Sequence, residues 1–282
     1  MRCAWQAYLN LLPLWMRQDV DKLGKDDLQE LRMRLNYPPE LVLRTSSAWL
    51  ERPVTKDDMH FCINAASGYS PWTAATAAQG YITAAGGHRI GLCGRATLSG
   101  EEMTAISTPT SLCLRVARDF EGIGKQIAGV NTSILILGKP GSGKTTLLRD
   151  VIRAKSEKGP GSIAVVDERG ELFPAVQNQM CFLPGKRTDI LTGCKKQQGV
   201  EVVLRTMCPE IIAVDEITAK EDCEALIHAG WCGVKLLATA HAENKKDLFS
   251  RPVYQPLIEN RLFETLIILQ SDKTWKMERM GI

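Results

Sequence analysis

Residues 133–154 read Ser-Ile-Leu-Ile-Leu-Gly-Lys-Pro-Gly-Ser-Gly-Lys-Thr-Thr-Leu-Leu-Arg-Asp-Val-Ile-Arg-Ala. An apolar run of strand length ends at Gly138, a G-x-x-x-x-G-K-T loop follows to Thr145, and a helix-forming stretch takes over. Glycines at these spacings let successive backbone N–H groups wrap a chain of phosphates, and the N-terminus of the following helix adds its positive dipole end. Gly138, Lys139, Pro140, Gly141, Ser142, Gly143, Lys144, Thr145 and Thr146 are therefore expected to hold a nucleoside triphosphate. Lys144 would reach the β- and γ-phosphates, and the Thr145 hydroxyl would ligate Mg²⁺. A chance glycine-rich loop would not need this strand before it and this helix after it.

Working outward, the chain beyond Asn131 alternates strand and helix. Apolar runs at 133–137, 163–166, 211–214, 236–240 and 266–269 have the composition of strands buried on both faces, as a parallel sheet requires. Ligands of such sheets bind at the carboxyl ends of the strands. Ile211-Ile212-Ala213-Val214 ends in Asp215 and Glu216, the pattern of a Walker B strand. Asp215 would hold Mg²⁺ partly through water, and Glu216 would orient and activate the attacking water. Ala164-Val165-Val166 ends in Asp167-Glu168, which makes Glu168 a further catalytic candidate. Leu237–Ala240 ends in His241, placed to sense the γ-phosphate. His60, His88 and His228 form no metal-ligand spacing.

The first 120 residues differ in character. Trp5, Tyr8, Leu9, Leu12, Trp15 and Met16 recur at helical spacing, with a kink near Pro13. That face is expected to dock on its own domain; the competing reading is an interfacial helix touching lipid. Leu28, Leu31 and Leu35 continue the helical pattern, residues 40–44 read as strand, and 57–79 as an alanine-rich helix broken near Gly68 and Pro71. From Gly80 short strands and tight turns follow, around Gly86-Gly87 and again to Val116, with Leu98–Glu102 a hairpin turn. The expected organisation is an α+β domain with an antiparallel sheet at 1–120, a linker at 121–130 loosened by glycines, and an α/β P-loop NTPase core, RecA-like, at 131–282.

Composition bounds the function. The chain has 282 residues, 44% of them apolar and 24% charged, which excludes disorder, collagen-like repeats and coiled coil. Its net charge is only +3, with 13 basic and 12 acidic side chains before residue 121. A blanket nucleic-acid-binding surface is therefore not expected. Nine cysteines without a C-x-x-C fit reduced thiols in a cytosolic protein. No apolar run approaches the roughly 18–20 residues of a membrane span.

The four strand ends, in order, resemble the Walker A, Asp-box, Walker B and His-box segments of the secretion-superfamily ATPases. The corresponding stretches are 138–145, 164–171, 204–216 and 230–241. Within that superfamily the chain resembles the stage III AA family of endospore-forming bacteria. Leu31–Leu35, Gly80–Thr83, Gly86–Gly91, Gly185–Cys194 and Ala238–His241 carry that likeness. Ala85, Thr218 and Ala242 depart from its pattern. The resemblance implies a ring-forming ATPase, a hexamer, using ATP and Mg²⁺. It would sit at the inner face of the membrane, on the mother-cell side, and energise membrane-embedded channel or secretion proteins. It also implies that arginines of the N-terminal domain complete a nucleotide site, where positive charge stabilises the transferring phosphoryl group. Arg95 and Arg115 are the first candidates, ahead of Arg89 and Arg118. Arg187 is another, at the γ-phosphate or at a subunit contact. The alternatives are a nucleic-acid-stimulated ATPase of helicase or transposition-helper type, disfavoured by the charge balance and scarce aromatics, and a slow nucleotide-gated assembly switch.

Overall fold

The computed structural model describes residues 1–68, 80–100, 102–159, 161–176 and 179–281. It divides into two compact units, Met1–Asp119 with Pro174–Phe182, and Phe120–Phe173 with Leu183–Ile282.

In the first unit α1 (Trp5–Asn10) and α2 (Leu14–Asp27) are broken at Pro13, which lacks the N–H that would continue the helix. Their tryptophans are tethered to this unit. Trp5 stacks on Tyr8 and donates to Asp21, Trp15 donates to Asp58 at 2.9 Å, and Tyr8, Leu9, Leu12 and Met16 are buried, so this face docks on its own unit. The chain then enters β1 (Leu28–Arg34), β2 (Glu40–Leu43) and β3 (Ser47–Trp49). Next, α3 (Lys56–Ser67) opens with a Thr55/Asp58 capping box and stops at Gly68 in the left-handed conformation. The remainder of the helix expected to residue 79 lies outside the described residues. β4 (Tyr81–Thr83), β5 (Arg89–Ser99) and β6 (Glu102–Arg115) complete an antiparallel sheet of order β3-β2-β1-β6-β5-β4. His88, ahead of β5, is buried. Its Nε2 donates to the Ala4 carbonyl and its Nδ1 accepts from the Ala117 N–H, so burial lowers its pKa and its role is to join chain segments.

The expected helix at Leu28–Leu35 is a correction: Leu28–Arg34 form β1, a central strand. A register shift between Leu28 and Glu30 inserts an extra residue, so Leu28 and Leu31, three apart, both face the core as they would on a helix. Leu31→Ala should therefore cost about 2–5 kcal/mol of stability as a core cavity. Arg32→Ala, on the exposed face, should cost less than about 1 kcal/mol. Denaturant unfolding of the two variants measures the difference.

The second unit opens with 121–130, the stretch expected to be a linker. It is packed here, with Ile127 buried and the Gly124 N–H donating to Asp150 at 2.7 Å. β7 (Ile134–Leu137), α4 (Lys144–Lys158) and β8 (Ile163–Asp167) follow. The chain then contributes a hairpin, β9 (Ala175–Val176) and β10 (Gln179–Met180), to the first unit before returning. After it come β11 (Thr188–Thr192), α5 (Lys196–Thr206), β12 (Ile211–Ile217) and α6 (Lys220–Trp231). The unit ends with β13 (Lys235–Ala240), α7 (Lys245–Ser250), α8 (Gln255–Glu259), β14 (Thr265–Leu269) and β15 (Trp275–Arg279). The sheet order is β11-β8-β12-β13-β7-β14-β15, parallel except for the edge strand β15. All four residues of β7 and all five of β8 are buried, as strands covered on both faces must be. Among the described residues no helix is long and apolar enough to cross a membrane. All nine cysteines are free thiols.

Candidate active site

Strand order places the chemistry. β13 lies between β7 and β12, so the residue after β13, His241, stands between the phosphate loop and the Asp215-Glu216 pair.

The loop between β7 and α4 needs its glycines. A Cβ on Gly138 would come 2.5 Å from Ser142 Oγ, and Gly141 and Gly143 hold φ of +72° and +105°. Helix α4 starts with no side-chain cap, leaving its first N–H groups for an anion. Ser142 Oγ is covered and has no hydrogen-bond partner among the described residues, a polar atom in keeping with a phosphate ligand. Lys144 is largely buried and spends its three protons on the Gly138 carbonyl at 2.9 Å, the Lys139 carbonyl at 3.0 Å and His241 Nδ1 at 3.0 Å. Burial lowers its pKa, although Asp215 and Glu216 pull it back.

Thr145 Oγ1 donates to Asp215 Oδ2 at 2.7 Å. One hydroxyl and one carboxylate form a hard oxygen pair, which suits Mg²⁺, an ion that keeps most of its waters. Glu216, next along, has φ of 54°, in the left-handed region where a residue with a side chain is rare. Its carboxylate accepts from His241 Nε2 and lies 3.6 Å from Arg169 Nη1. Since the Lys144 ammonium can only donate, His241 Nδ1 accepts and the ring proton sits on Nε2, facing Glu216. Burial, the largest influence on the Glu216 carboxyl, pushes its pKa up; His241, Arg169 and Lys144 outweigh it and hold the group below its ordinary value. Tyr254 fixes the edge of the site, its hydroxyl accepting from the His241 N–H at 3.1 Å and donating to the Ile217 carbonyl.

The structure thus brings together Lys144, Thr145, Asp215, Glu216 and His241. Glu168 is placed differently, accepting from Lys196 Nζ at 2.5 Å, with Asp222 3.9 Å from the same amine. Asp167 folds the loop beyond β8 by accepting from the N–H groups of Glu171, Leu172 and Phe173, and burial raises its pKa to about 6. From this strand end it is Arg169 that reaches the cluster. Arg187 is a correction as a γ-phosphate ligand within its own chain. It is bound to Ser156 in the last turn of α4, roughly 18 Å of helix from Lys144. In the first unit Arg115 Nε lies 3.3 Å from Glu30, and Arg95 is on the outer, exposed part of β5. Arg89 stacks over Tyr81, and Arg118 donates to the Lys25 and Leu28 carbonyls.

The fold of this chain is that of solved ATPases, a pilus retraction motor among them. The ATPase DotB of Legionella pneumophila superposes with a TM-score of 0.59 at 14% identity, over 95% of this chain and 80% of that one. The pilus retraction motor PilT, solved with bound ADP, gives 0.57 at 14% identity over 89% and 76%. The sequence narrows the class. Residues 6–280 match the family model for sporulation stage III, protein AA, and the chain belongs to that family. Stage III sporulation protein AA of Bacillus subtilis is 35% identical over 278 residues, 93% of this chain and 90% of that protein.

Proposed function

We propose that the chain is an oligomeric, Mg²⁺-dependent ATPase that energises a membrane-associated secretion or channel assembly during endospore formation. The observation that carries the reading is the single cluster in which Lys144, Thr145, Asp215, Glu216 and His241 meet at the strand ends. Gly138 to Thr146 cradle the triphosphate, with Lys144 turning from the loop carbonyls to the β- and γ-phosphates. Mg²⁺, when bound at Thr145 and Asp215, neutralises part of the phosphate charge. Glu216, ionised at neutral pH, orients a water for in-line attack, and His241 keeps that carboxylate in place. Glu168, anchored on Lys196, holds the loop that carries Arg169 toward Glu216. Arg95 and Arg115 of a neighbouring subunit supply positive charge to the transition state.

Phosphate release with Mg-ATP, followed beside light scattering, tests this. Activity should require Mg²⁺, and the mass should rise from 31.2 kDa toward a sixfold assembly with ATP. Single-stranded DNA or RNA should leave the rate within about twofold, because the net charge is only +3 and aromatics make up 6% of the chain. A severalfold stimulation would overturn the secretion reading. Arg95→Ala and Arg115→Ala should lower turnover about 10-fold or more, as finger arginines do, and only in the assembled protein. Equal rates retire them.

A further inference from the structure

We propose that Thr239 is a positioning residue that ties the metal-holding and water-orienting carboxylates to each other. The proposal rests on the ATPase reading above.

The observation begins in the sheet. Strand β12 pairs with β13 at Val214↔Ala238 and again at Ile217↔Ala240, three steps on one strand against two on the other. Asp215 and Glu216 therefore stand on a bulge, the device that re-aims side chains beside active sites. A bulge takes a residue out of the ladder, and its backbone N–H then needs another acceptor. For Glu216 that acceptor is the Thr239 hydroxyl, 2.7 Å away. The same hydroxyl donates its one proton to Asp215 Oδ1 at 2.6 Å. Thr239 is fully buried, so water cannot replace either bond.

Two consequences follow. With Oδ1 engaged by Thr239, Asp215 presents Oδ2 to Thr145, the side on which Mg²⁺ would sit. With its N–H anchored, Glu216 keeps the left-handed backbone that turns its carboxylate toward His241 and Arg169. One hydroxyl thus sets the geometry of both acids while its own side chain stays buried behind them. Valine has the shape of threonine without the hydroxyl, and serine has the hydroxyl without the methyl, so the pair separates hydrogen bonding from packing.

The experiment compares full-length wild type, Thr239→Val and Thr239→Ser by ATP binding in EDTA, ATP binding across a Mg²⁺ titration, and steady-state turnover. Thr239→Val should bind ATP in EDTA within about twofold of wild type, because every loop contact is kept, and should need about tenfold more Mg²⁺ for half-maximal enhancement of binding, the loss expected when a buried acceptor and donor go unpaired. Its kcat should fall about 10- to 100-fold with KM for ATP at saturating Mg²⁺ little changed. Thr239→Ser should restore both the Mg²⁺ requirement and kcat to within about threefold of wild type, since its hydroxyl can make both bonds. Wild-type behaviour of Thr239→Val overturns the proposal. So does equal impairment of the two variants, or loss of binding in EDTA, since each marks a packing role. Should wild type bind Mg-ATP without hydrolysing it, the ATPase reading fails alone, and the Mg²⁺ titration still decides the role of Thr239.

Discussion

Glu216→Gln is expected to leave ATP bound and to lower turnover by about 10²–10⁴-fold, the span that a positioned general base contributes. The substitution keeps the side chain's size, and its amide oxygen can still accept from His241 Nε2. Neither the bulge nor the Thr239 bond to the backbone is touched. What is lost is the negative charge that His241, Arg169 and Lys144 together keep on the carboxyl. A water beside the γ-phosphate is then held without a group able to draw off its proton. The measurement is phosphate release set against equilibrium ATP binding for the two proteins. Binding within about threefold combined with abolished release assigns the role, because an interaction used only in the transition state alters turnover and not ground-state affinity. Persistent hydrolysis would move the role to another group. The same variant, trapped with ATP, should also hold the larger assembly longer than wild type does.

The parts of this site legible in the sequence are those in which neighbours along the chain do the work together. The phosphate loop is eight consecutive residues, Gly138 to Thr145, each with its own physical reason, and the double-sided burial of β7, β8 and β12 leaves unbroken apolar runs. Topology then puts Asp215, Glu216 and His241 at one edge. Topology does not say which way a side chain turns once the strand has ended. Asp167 curls back onto the N–H groups of its own loop and Glu168 goes to Lys196 on α5, while Arg169 makes the approach to Glu216 from another strand end. No local pattern announces a pair that distant in sequence. Thr239 was hidden in a different way, as a β-branched residue inside an apolar strand, where it fits the pleat whether or not its hydroxyl is used. The helix expected at Leu28–Leu35 failed because a bulge gives a strand the three-residue spacing of a helix face. The edge strand β11 alternates weakly and β15 is mostly exposed, so neither leaves a core-facing run to detect.

Lys144→Met should separate binding from folding. The amine is covered, and its three donors all end on the phosphate loop or on His241. Burial already works against its charge. An apolar side chain of similar length avoids that cost but leaves the Gly138 and Lys139 carbonyls and His241 Nδ1 without their donor, a loss that water entering the partly exposed loop offsets. The two effects oppose each other, so the melting temperature without nucleotide should stay within about 3 °C of wild type. ATP affinity should move the other way, by about 2–5 kcal/mol, because the triphosphate loses the one ammonium placed to meet it. That corresponds to a loss of roughly 30- to 5,000-fold. Scanning calorimetry reads both effects on one sample. Wild type with ATP at about 100-fold above its Kd gains about 2.7 kcal/mol from ligand linkage, a rise of roughly 5–10 °C for a chain of this size. Lys144→Met at the same concentration should rise by no more than about 3 °C. A variant that melts far below wild type without nucleotide would make Lys144 a strut of the loop. A variant that still rises by the wild-type value of roughly 5–10 °C with ATP would mean the triphosphate is held by the backbone N–H groups and helix dipole alone.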